Sequence, residues 1–82
     1  MVDDTSRVFG QNLTAIMHER AISLRRLSAE TGIPFNTISD YANSRVDIPL
    51  SRAKIIAVAL GKTVDEMTED IAKENDLKKS IS

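Results

Sequence analysis

The segment from Ser23 to Asn43, SLRRLSAETGIPFNTISDYAN, constrains this chain more than any other, because its caps and breakers fall where two short helices around a tight corner need them. Ser23 is a good N-cap, and Leu24 and Leu27, three apart, share a helical face. Gly32 supplies the left-handed backbone that ends the first helix without a Cβ clash. Pro34 suits the first turn of the next helix, where no backbone N–H is missed. In that second helix Ile38 and Tyr41 turn inward. Phe35, Asn36, Ser39 and Asp40 then share the outer face, with Thr37 at its margin.

A short helix, a glycine corner and a second helix with a small, polar outer face make a helix-turn-helix. On these residues, and on Leu13, Ile16, Ile22-Ser23, Ala59-Leu60-Gly61 and Val64-Asp65-Glu66-Met67, the stretch from Phe9 to Met67 resembles the phage-repressor helix-turn-helix family, the lambdoid repressor, Cro or XRE type. The resemblance implies an all-α fold, a five-helix lambda-repressor-like bundle with the helix-turn-helix at helices two and three, whose third helix enters the major groove of DNA.

The remaining chain fits one domain over residues 1–82, with its core at 6–72 and the last-helix end or a flexible tail at 73–82. Thr5 or Ser6 can cap a first helix running to about Arg20, with Val8 or Phe9, Leu13, Ile16 and Met17 as its buried stripe. Gly10 weakens that helix by about 1 kcal/mol relative to Ala and marks a close helix contact. Where the family usually pairs a base and an acid beneath the recognition helix, this chain has Met17 and Ala42, an apolar replacement of the kind that is often neutral or stabilising. In the loop 43–49 the family often has Gly at the position of Ser44, and Asn43 is the candidate here for the left-handed residue. Pro49 precedes a fourth helix, Leu50 to Leu60, burying Ala53, Ile56, Ala57 and Leu60 with Ile55 joining from the side, and Gly61 closes it. Thr63 to Glu66 has the capping-box pattern and starts a last helix with Val64, Met67 and Ile71 on its apolar face.

Base readout needs side chains that hydrogen-bond to base edges or touch the thymine methyl. Asn36 suits adenine, Phe35 a thymine methyl and Asp40 the amino group of cytosine, with Thr37 and Ser39 beside them. The alternatives are that Phe35 covers the corner as a core or rim residue, and that Asp40 pairs with Arg45 or with an arginine of the preceding helix. Phosphates fall to Ser23 and Arg25 at the start of the second helix and to Asn43 and Arg45 after the third. Leu24 stands where the family often has a phosphate-binding Gln. Arg52 and Lys54 read as solvated surface charges. Pairing of half-sites calls for a homodimer, its interface expected at Met67, Ile71 and Leu77, the apolar residues a monomer would need least.

Charge sets the limits of this expectation. The formal net charge is −1, yet residues 63–82 carry −3 while residues 5–62 hold eight basic and four acidic side chains, a balance of +4 that serves a phosphate backbone. Double-stranded DNA is therefore the expected partner. The acidic end and near-neutral total favour one alternative of another class, a protein-interaction module of the same fold such as an antitoxin-like subunit. No nucleophile–base constellation, glycine-rich phosphate loop or metal-ligand cluster is present, so no catalytic, cofactor-binding or metal residue is assigned, and the lone His18 reads as a surface side chain. The chain lacks cysteine, the polar start Met1 to Ser6 does not read as a signal peptide, and no apolar run approaches the roughly 18 residues that span a membrane, which points to the cytoplasm.

Overall fold

The computed structural model of the chain describes residues 2–69, all-helical in five elements: α1 (Asp4–Arg20), α2 (Leu24–Thr31), α3 (Phe35–Ala42), α4 (Leu50–Ala59) and α5 (Val64–Met67). This is the expected all-α bundle. Phe9, Leu13, Leu27, Ile38, Ile56 and Met67 are fully buried, so every helix contributes at least one side chain to a single core. The expected stripes of α1 and α4 are buried as spaced, apart from Ile16, which is half-buried, and Ile55, which is 44% exposed. Ile55 therefore does not join the core of this chain.

α1 is the strut on which the other helices hang. Asp3, not Thr5 or Ser6, caps it, its carboxylate accepting from the Ser6 N–H at 2.7 Å. That frees the buried Ser6 hydroxyl to accept from the Ile48 N–H at 2.9 Å, while Asp47 accepts from the Asp3 N–H at 2.8 Å, so the loop after α3 is pinned to the start of α1. Farther along, Asn12 donates to the carbonyls of Met67 and Glu69 at 2.8 and 3.0 Å, and Arg20 donates to the Leu60 carbonyl at 2.7 Å. These bonds satisfy carbonyls that the ends of α5 and α4 would otherwise leave open.

Among the described residues two take the left-handed conformation without being glycine: Ala21 at φ 55°, ending α1, and Ser44 at φ 56°. Asn43, at φ −91°, does not, which corrects the expectation that it would replace the family's glycine; Ser44 holds that place itself. The Ser44 hydroxyl offsets part of the strain by donating to the Arg7 carbonyl at 3.1 Å. Ala21 has no such compensation from its side chain. Left-handed strain costs a non-glycine residue about 1–2 kcal/mol, against about 0.5–1 kcal/mol for the greater unfolded freedom of glycine. Ala21→Gly is accordingly expected to raise stability by roughly 0.5–1 kcal/mol in urea unfolding; an unchanged or lower midpoint would contradict it.

The capping box of α5 is complete. The Thr63 hydroxyl accepts from the Glu66 N–H at 3.1 Å, and the Glu66 carboxylate accepts from the Thr63 N–H at 3.0 Å and from its hydroxyl at 3.2 Å. These two bonds from Thr63, with Lys62 nearby, hold the Glu66 carboxyl below the usual carboxylate range. A group lowered in the folded state contributes stability above its unfolded pKa and loses it as pH falls through the folded value. The thermal midpoints of wild type and Glu66→Gln should therefore differ at neutral pH and converge on acidification below that range; a constant gap would show that the charge has no part in the cap.

Candidate nucleic-acid interface

The corner between α2 and α3 is fixed by local bonds. Gly32, at φ 75°, donates its N–H to the Ser28 carbonyl at 2.9 Å, and the Ser28 hydroxyl donates to the Ile33 carbonyl at 2.6 Å. Thr31 donates to the Leu27 carbonyl at 2.8 Å and accepts from the Ile33 N–H at 3.2 Å. Pro34 lies one residue before the helix rather than in its first turn, and Ile38 and Tyr41 lock α3 into the core. The orientation of α3 is thus set by a rigid corner, which a reading helix requires.

The outer face of α3 is not uniform. Phe35 and Asn36 are exposed, whereas Thr37, Ser39 and Asp40 are only half-exposed, so the open end is the N-terminal one. Phe35 is 42% exposed, which excludes a core role, and the Arg25 guanidinium lies 5.9 Å from its ring centroid, a cation–π distance. Asp40 and Arg45 form an ion pair at 3.5 Å, and the Arg45 N–H donates to the Asp40 carbonyl at 2.9 Å. Asn43 folds its side-chain amide back onto the Ser39 carbonyl at 2.8 Å, closing the end of α3. The Ser23 hydroxyl is occupied as the cap of α2, accepting from the Arg26 N–H at 3.0 Å. The residues assigned to bases and those assigned to phosphates therefore meet in pairs, Phe35 with Arg25 and Asp40 with Arg45.

Beneath this face Met17 and Ala42 both join the apolar cluster, and the Thr14 hydroxyl donates to the Ala42 carbonyl at 2.8 Å. Leu24 also packs against that cluster, so it fills space rather than contacting a phosphate. Arg52 is not a free surface charge: it is half-buried and donates to the Tyr41 hydroxyl at 3.3 Å, tying α4 to α3. Sequence spacing did not reveal that Arg7 and Gln11 of α1 border one surface groove with Asn43 and Ser44, because some thirty residues separate them in the chain. Only the close approach of α1 and α3 at Gly10 brings them together. Among the interface residues expected for a homodimer, Met67 is fully buried in the monomer core, a correction, while Ile71 and Leu77 lie outside the described residues.

Among the described residues no helix is long and apolar enough to cross a membrane. No curated protein and no solved structure matches the chain. A family model described as Helix-turn-helix matches residues 15–67, a span that takes in the corner, the whole of α2 to α5 and the end of α1. With that match covering well over half of the sequence, the chain belongs to the XRE-type helix-turn-helix family of DNA-binding domains.

Proposed function

We propose that this protein is a sequence-specific transcriptional regulator of the phage-repressor kind, a repressor that binds a palindromic operator as a homodimer. The observation that supports this best is the exposed N-terminal end of α3, where Phe35 and Asn36 stand exposed on a rigid corner with Arg25 over the Phe35 ring. Asn36 pairs bidentately with adenine and Phe35 packs on a thymine methyl, while Thr37 and Ser39 lie at the margin of the contact. Arg45 exchanges Asp40 for a phosphate on DNA, and the Asp40 carboxylate is then released toward a cytosine amino group. Ser23, Arg25 and Asn43 complete the backbone contacts through their helix ends. A single domain makes few base contacts, so specificity calls for two half-sites about one turn of duplex, roughly 34 Å, apart.

Selection of bound sequences from a random duplex pool tests this. A two-fold symmetric site should be enriched; absence of enrichment even at low salt refutes the operator and favours an interaction module of the same fold. On the selected site Asn36→Ala should lose about 1–3 kcal/mol and relax choice at one base pair, leaving non-specific binding nearly unchanged. Arg45→Ala should weaken all sequences about equally. Equal proportions of lost affinity and lost specificity in the two variants would contradict the division of roles.

A further inference from the structure

Among the described residues, the large exposed apolar side chains that the recognition face does not use lie mostly on α4. Leu50 is 62% and Val58 76% exposed, on one line of the helix with Lys54 between them, and Ile55 adjoins Val58 on the next line. Val58 stands as a ridge between two shallow, mainly apolar depressions. One is floored by Ala57 and Val64 and edged by Asp65 and by Lys62, which is paired with Glu66; the other is lined by Ile55 and Ala59 and edged by Glu30, which is paired with Arg26; Lys54 borders both. Neither Lys54 nor Asp65 has an ion-pair partner among the described residues.

We infer that this face of α4 is where a second copy of the chain docks, an inference that rests on the homodimer proposed above. A two-fold interface must be complementary to itself, so ridge, groove and both signs of charge have to lie on one patch. They do here: Val58 of each copy enters a depression of the other, and Lys54 of each faces Asp65 of the other. A partner of uniform charge, such as a phosphate backbone or an acidic peptide, would leave one sign opposed and the apolar ridge unused. None of the residues assigned to DNA lines this face, so both surfaces can be occupied at once. A ten-residue helix presents a face about 15 Å long and about 10–12 Å wide, roughly 150–180 Å² and well short of the roughly 800 Å² per partner of a stable complex. The dimer is therefore weak by itself and completed on DNA.

Sedimentation equilibrium of the full chain, alone and with a two-half-site duplex, tests the interface. Val58→Asp should weaken self-association at least roughly tenfold and abolish cooperative filling of the duplex. Its circular dichroism, its affinity for a single half-site and its thermal midpoint at concentrations where wild type is monomeric should stay as in wild type. Lys54→Glu and Asp65→Lys should each weaken association and together restore it. Association of Val58→Asp equal to wild type overturns the interface, as does loss of the dimer in Ile71→Asp or Leu77→Asp with the α4 variants unaffected; the homodimer itself then stands. If wild type places only one protomer on the two-half-site duplex at protein excess, the interface and the homodimer fall together.

Discussion

Gly10→Ala is expected to destabilise the domain by about 2–4 kcal/mol, against the direction that helix propensity alone would give. Propensity favours Ala over Gly in the middle of α1 by about 1 kcal/mol. A Cβ at Gly10, however, would overlap the Tyr41 carbonyl oxygen and the Ser44 hydroxyl oxygen, both well inside van der Waals contact. The hydroxyl can rotate away, but a carbonyl oxygen within α3 cannot. α1 and α3 must then separate, at the roughly 1–3 kcal/mol of an overpacked core. Their separation also stretches the bonds from Ser44 to Arg7 and from Thr14 to Ala42, each contributing about 0.5–1.5 kcal/mol. A domain of this size has about 4–12 kcal/mol in all, so the change removes a large share. Urea and thermal unfolding should show it, with the thermal midpoint falling by roughly 10–20 °C. Adding Ser44→Ala, which removes the hydroxyl and leaves the left-handed backbone as it is, should rescue only part, since the carbonyl remains; full rescue would assign the contact to the hydroxyl, and an unchanged midpoint of Gly10→Ala would remove Gly10 as the reason for the close approach. Because α1 packs against α3 at this point, affinity for DNA should fall with stability.

What could be read from the sequence is local, and what could not is a matter of distance along the chain or of compensated strain. Ser23, Gly32 and the Thr63–Glu66 box act within four residues of themselves, so their chemistry is visible in the string and recurs in the structure. The buried faces of α1, α3 and α4 follow from three-four spacing for the same reason. Ala21 and Ser44 were opaque, because a left-handed alanine or serine is locally unfavourable and persists only where packing determines it. The bonds from Asn12 to Met67 and from Arg20 to Leu60 span 55 and 40 residues, and no motif announces them. At the candidate site the outward-facing side of α3 was legible from its spacing, but its internal pairing was only half so. Spacing allows Asp40 to pair with Arg45 or with an arginine of α2, whereas Arg25 over Phe35 depends on the angle of the corner, which spacing does not encode.

Met67 is where the structure changes the expectation most, and Met67→Ala should separate its two possible roles. As an interface residue it would weaken association and leave the protomer intact. As observed, it is fully buried in the cluster of Phe9, Leu13 and Ile56, and α5 packs on both α1 and α4. A helix of four residues has no stability of its own, so its place depends on that one fully buried side chain, on half-buried Val64 and on Asn12 holding the Met67 carbonyl. Truncation of a buried methionine costs about 2–5 kcal/mol, the upper part applying where the surroundings cannot collapse into the space. The loss should appear in urea unfolding as a shift from the wild-type midpoint that is the same at low and high protein concentration, since a protomer's core is insensitive to mass action. Val58→Asp should show the reverse, the wild-type midpoint kept at low protein concentration and the rise of that midpoint with concentration lost together with association. If instead Met67→Ala leaves unfolding untouched and shifts only the concentration dependence, Met67 belongs to the contact between copies, and the packing of α5 onto α1 and α4 is not what holds the protomer together.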